Sequence, residues 1–182
     1  MTTERPVPIP ISDRMYDALS KAPHAELDLS AEEVADLVRI GFDLQTQQEQ
    51  PGSKTNTTVN VLDINKEEAK IALNTTITAM GTSVDFAAQA ILTGNSEQLN
   101  PRGPSLKSLD FTPGKGPFTA MLLTSFGVEG QTKLFFSTLN DAAKLYSQSL
   151  MQGKNIEIGA SALSFEAGKF KLQVSQPAPG TN

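Results

Sequence analysis

Three prolines, Pro6, Pro8 and Pro10, stand at alternate positions in the segment RPVPIPIS (residues 5–12), with Val7, Ile9 and Ile11 between them. Proline lacks an amide hydrogen. In an extended chain, successive residues turn their backbone groups to opposite edges, so all three missing donors fall on the same edge. A strand here can pair only along its other edge, and the prolines discourage a further strand from docking. The spacing predicts a strand over 7–11 with a single partner. A polyproline-like arm is the alternative it leaves open.

Downstream, Ser12 or Asp13 caps a predicted helix to about Ala22, with Met15, Leu19 and Tyr16 as its stripe, and Pro23 and His24 interrupt it. In LSAEEVADLVRIGF, Ser30 and Glu33 have the spacing of a capping box, Val34, Leu37, Val38 and Ile40 recur at helical period, and Gly41 suits the exit. The polar run QTQQEQPGSKTN, residues 45–56, has linker composition. TTVNVLDI then alternates as a strand. Asn65 with Glu68 signals a helix carrying Ile71, Ile77 and Met80 up to Gly81, and Thr82 with Asp85 signals another through SVDFAAQAIL to Gly94. Val59 follows Val7 by 52 positions and Gly94 follows Gly41 by 53. Residues 1–94 therefore read as two β-α-α units.

A strand-helix-helix unit with AMGTSVDFAAQAIL entering its second helix resembles the ribbon-helix-helix DNA-binding fold. The resemblance implies a dimeric unit whose two strands, here 7–11 and 58–62, pair as a ribbon, with outward side chains facing the major groove. Those outward positions hold Pro6, Pro8 and Pro10, which cannot read base edges, and Thr58 and Asn60, which can.

After a turn-rich linker at 95–104 the texture changes. SLKSLDFT, GPFTAMLLTSF and QTKLFFST read as strands separated by Pro113-Gly114-Lys115-Gly116-Pro117 and by Gly127 to Gly130. A helix follows from Asn140 or Asp141 to Gly153, then strands in NIEIGASALSF and KFKLQVS, and a tail at 176–182. Three strands, a helix and two strands is the order of an OB barrel. LMQGKNIEIGASALSFEAGKFKLQVS, with Gly153 and Gly159, resembles the closing strands of single-stranded-DNA-binding OB domains. The resulting fold class is α+β: a helical half of two β-α-α units, then a five-stranded OB-like barrel over 105–175.

In OB domains that bind single strands, exposed aromatics stack bases while Lys and Arg follow phosphates. The candidate nucleic-acid-binding residues are Phe118, Lys133, Phe135, Phe136, Lys169, Phe170 and Lys171. On a strand, the adjacent Phe135 and Phe136 would point to opposite faces, leaving one for a ligand, while Lys169 and Lys171 would share a face.

Charge points the other way. Residues 1–94 carry 7 Lys and Arg against 14 Asp and Glu, and residues 95–182 carry 8 against 6. An acidic first half opposes a phosphate backbone and suits a basic protein partner. There is no Cys, one His, and no GxxxxGK[ST] loop. Glu32, Glu33 and Asp36, like Glu67 and Glu68, sit where first-turn carboxylates favour a helix dipole. The expectation is a protein that is not an enzyme and needs no cofactor or metal. The absence of Cys, of a secretory start and of a long apolar run predicts a cytoplasmic setting with no membrane contact. Two functions fit: a homo-oligomeric protein that binds single-stranded nucleic acid, or a protein-protein adaptor or structural assembly subunit with no nucleic-acid contact.

Overall fold

The structure, a computed structural model, describes residues 9–94 and 103–178. The chain is α+β with two antiparallel sheets, neither closed into a barrel. Among the described residues no helix is long and apolar enough to cross a membrane.

Helix α1 (Ile11–Lys21) begins directly after Pro10. Ile11 is its first residue and is buried with Met15 and Leu19, so the expected strand does not extend over it. Residues 7 and 8 lie outside the described residues. Strand β1 (His24–Leu29) follows, where the sequence suggested only an interruption. Helix α2 (Ala31–Glu49) starts with the expected capping box: Ser30 Oγ accepts from the Glu33 amide, and the Glu33 carboxylate accepts from the Ser30 amide. It does not stop at Gly41. A Cβ at that position would lie 2.7 Å from Ala142 Cβ, so glycine is there for close helix packing, and the supposed linker supplies the last turn of α2 and the start of the next strand.

The large sheet has the order β2-β3-β4-β5, from β2 (Lys54–Ile64), β3 (Glu68–Ala79), β4 (Thr82–Thr93) and β5 (Ser105–Pro113). Two of these strands replace expected helices. Asn65 Oδ1 does accept from the amides of Glu67 and Glu68, as a cap would, but the Asn65 amide also donates to the Glu68 carbonyl and closes a turn into β3. Ala69, Ile71, Leu73, Thr75 and Ile77 then alternate inward, matched by Val84, Phe86, Ala88, Ala90 and Leu92 on β4. This period of two outweighs the cap signals. Thr58 and Asn60 are exposed on β2, whose partner among the described residues is β3.

Three helices follow: α3 (Thr119–Ser125), α4 (Val128–Ser137) and α5 (Leu139–Met151). The first two replace expected strands. Val128, Thr132, Phe135 and Phe136 are buried at i, i+4, i+7 and i+8, a helical stripe. Strands β6 (Ala160–Glu166) and β7 (Lys169–Ser175) complete a small sheet of order β1-β7-β6, and its inner face packs on α5. Helix α2 packs on β2 and against α5. A string of rings, Phe111, Phe86, Phe42, Phe135 and Phe136, runs from β5 through β4 and α2 to α4, with centroids 4.9, 6.3, 5.3 and 5.2 Å apart.

Candidate docking surface

Strands β3 and β4 are joined by a two-residue turn, with Ala79 opposite Thr82. Both turn residues, Met80 and Gly81, have positive φ, 53° and 77°. Such a turn matches the sheet twist and favours Asn-Gly, because a left-handed conformation crowds a longer L side chain. Met80 therefore carries backbone strain, and its side chain is fully exposed. Beside the tip, α2 ends and the chain turns at Pro51 and Gly52, fixed by Ser53 Oγ donating to the Gln50 carbonyl at 2.7 Å. Opposite, Gly127 in the left-handed region separates α3 from α4.

Between these elements lies a groove of about 480 Å³. Ile77, Val84 and Val128 line its buried part, while Pro51, Met80 and Phe126 are exposed around it; no lining residue carries a charge. Phe126 is 58% exposed. Phe118, Leu122 and Phe126 are spaced i, i+4, i+8 through α3, and Phe118 and Met121 carry the exposed apolar surface onward. Fully burying such a side chain yields roughly 1.5–3 kcal/mol, so Met80, Phe118, Met121 and Phe126 offer at most about 6–12 kcal/mol in all. Association costs about 4–15 kcal/mol of lost freedom, so the surface suits a reversible contact.

The residues expected to bind nucleic acid are not brought together. Phe118 precedes α3 and is exposed, and Lys133 is exposed on α4. Phe135 and Phe136 are both buried, since a helix turns adjacent residues by about 100° rather than to opposite faces. Phe170 is buried against Phe165, with ring centroids 4.7 Å apart. None of these three rings is placed to stack a base. Lys169 and Lys171 do share the outward face of β7, in the other sheet. Lys171 is paired with Glu26 at 3.2 Å, and Gln173 donates to the same carboxylate at 3.1 Å. Gln173 first, then Lys171, holds the Glu26 carboxyl below its ordinary range, and Glu26 raises the Lys171 amine.

Two other concavities are poorer candidates. One of about 430 Å³ on the outward face of the small sheet is lined by small residues such as Ala160 and Ala162, and Glu26 on its edge is already satisfied. One of about 320 Å³ lies on the outer face of the large sheet, among Thr58, Asn74, Thr76, Asp85 and Thr112. Among the described residues no three His, Asp or Glu side chains converge to hold a metal. The sequence does not reveal the groove, because its local pattern makes α3 a strand and Met80 the end of a helix. The signal present was the Met-Gly pair between two alternating runs.

No protein-family model matches the chain, and no curated protein matches it.

Proposed function

We propose that this chain is a non-catalytic structural assembly subunit that associates with further copies of itself through the uncharged groove between the β3–β4 turn and α3. The carrying observation is Met80: a fully exposed apolar side chain in a strained backbone position beside an apolar groove. Stability alone would favour Asn there on both counts, so a docking role accounts for both costs. The acidic balance of the chain supports a protein rather than a phosphate backbone as partner.

Met80→Asn tests the reading because it separates stability from association. It should raise the unfolding free energy by about 1 kcal/mol of relieved strain, read in denaturant unfolding, while weakening self-association in sedimentation velocity at least tenfold. Phe126→Asp should weaken association without that gain. A wild-type chain that stays monomeric up to millimolar concentration defeats the reading. A salt-dependent complex with labelled single-stranded oligonucleotides in the same experiments would favour nucleic-acid binding instead.

A further inference from the structure

We propose that the occupant of the groove is the proline-alternating segment Arg5–Pro10 of a second copy, an inference that rests on the assembly reading above. Every residue from Arg5 to Pro10 is either a proline or precedes one. Each proline ring fixes its own φ near about −65°, and its clash with the preceding residue disfavours helical backbone at Arg5, Val7 and Ile9, which narrows the conformations open to the segment. Pro10, at φ −56° and ψ 145°, is in polyproline II as it enters α1. A segment restricted in this way loses little entropy on docking, which is why proline-rich ligands suit shallow apolar grooves with an aromatic wall.

The chemistry matches on both sides. From Pro6 to Pro10 the segment is PVPIP, apolar and uncharged, and the groove has an apolar lining with no charge and one exposed ring, Phe126. Ile9 is exposed in the single chain, so its apolar surface is available.

The geometry requires a second copy. Asp13 pairs with Lys154, just beyond α5, at 3.6 Å. Helices α2 and α5 touch at Gly41 and Ala142, and Tyr146 lies under the influence of Asp36 and Glu33, so α5 runs antiparallel to α2 with its C-terminal end near the start of α2. Arg14 is bonded to Glu33, in the first turn of α2. The groove lies at the other end, beside Gln50. The 19 residues of α2 span about 28 Å. Five residues, Pro6 to Pro10, reach at most about 17 Å from Ile11. The segment cannot lie in the groove of its own chain, but nothing in this geometry bars it from another's.

The chain has no cysteine, so introduced thiols report without background. A full-length chain carrying Val7→Cys, mixed with an isotope-labelled chain carrying Ala79→Cys, should form a mixed disulfide dimer on mild oxidation. Val7→Asp with Ile9→Asp should weaken association at least tenfold, and a synthetic RPVPIPIS peptide should compete with it. If the wild type associates and Phe126→Asp abolishes this, while the Val7/Ile9 variant associates normally and no mixed disulfide forms, the arm is excluded and the groove-mediated assembly stands. If Phe126→Asp also leaves association intact, the groove itself is wrong and both proposals fall. A wild type that stays monomeric up to millimolar concentration overturns both as well, whether or not it binds the peptide.

Discussion

Gly41 sets how closely α2 and α5 approach. Glycine inside a helix ordinarily costs about 1 kcal/mol relative to alanine, so the substitution would stabilise an isolated helix. Here the added Cβ would fall 2.7 Å from Ala142 Cβ and 3.1 Å from its Cα, and neither atom is the end of a flexible side chain. Overpacking of this kind costs typically about 1–3 kcal/mol, which exceeds the propensity gain. Gly41→Ala should therefore lower the urea midpoint; a raised midpoint would mean that the helices are further apart. Nearby, burial first, then the charges of Asp36 and Glu33, push the Tyr146 hydroxyl up from 10.0 to about 12. The folded chain then keeps a proton that the unfolded chain releases from about pH 10. Stability is fully present below that value and falls as pH rises towards 12. Tyr16→Phe leaves Tyr146 as the only tyrosine, and its absorbance titration should have a midpoint near 12. In Tyr146→Phe, the loss of melting temperature between pH 10 and 12 should be shallower than in the wild type.

At the scale of elements, local signals were legible where they agreed with the tertiary environment. The capping box at Ser30 and Glu33 starts α2 because both of its hydrogen bonds form, and the stripe of Met15 and Leu19 buries α1. Cap-like residues misled where they serve turns instead, as Asn65 does before β3. Aromatic content misled in the opposite sense at α4. QTKLFFST has strand-favouring residues, yet β propensity largely reflects packing on a pleated surface, and the buried spacing here is helical. The two readings differ in what truncation does. On a strand, one of Phe135 and Phe136 would be exposed and cheap to lose; on α4 both are buried while Leu134 is half exposed. Phe135→Ala and Phe136→Ala should each cost about 3–5 kcal/mol in denaturant unfolding. Leu134→Ala should fall within about 0.5 kcal/mol of wild type. A large cost at only one of the two phenylalanines would restore the strand.

For the whole molecule, the feature least legible in the sequence is which distant segments pair, because no local pattern names a partner. HAELDL alternates as an amphipathic strand, but its neighbour is β7, and Glu26 meets Lys171 across 145 residues of chain. Similarly, β5 pairs with β4 across the expected boundary at 95–104, with Ala88 opposite Phe111 and Ala90 opposite Leu109. Residues 95–102 themselves lie outside the described residues, but the pairings on either side of them have a clear consequence. A cut there would remove β1 from the small sheet and β5 from the large one, and would strip Phe42 and Phe86 from Phe135 and Phe111. The buried residues of both halves belong to one core cluster, so neither fragment retains a complete set of apolar neighbours. Fragments 1–94 and 95–182 should each lack a cooperative thermal transition by circular dichroism, whereas the intact chain melts in one step. Mixing the fragments should restore part of the native signal, since the missing contacts are noncovalent. A cooperative melt of 95–182 alone would show that β6, β7 and the three helices bury enough surface without β1 and α2, and that the two sheets are separable units.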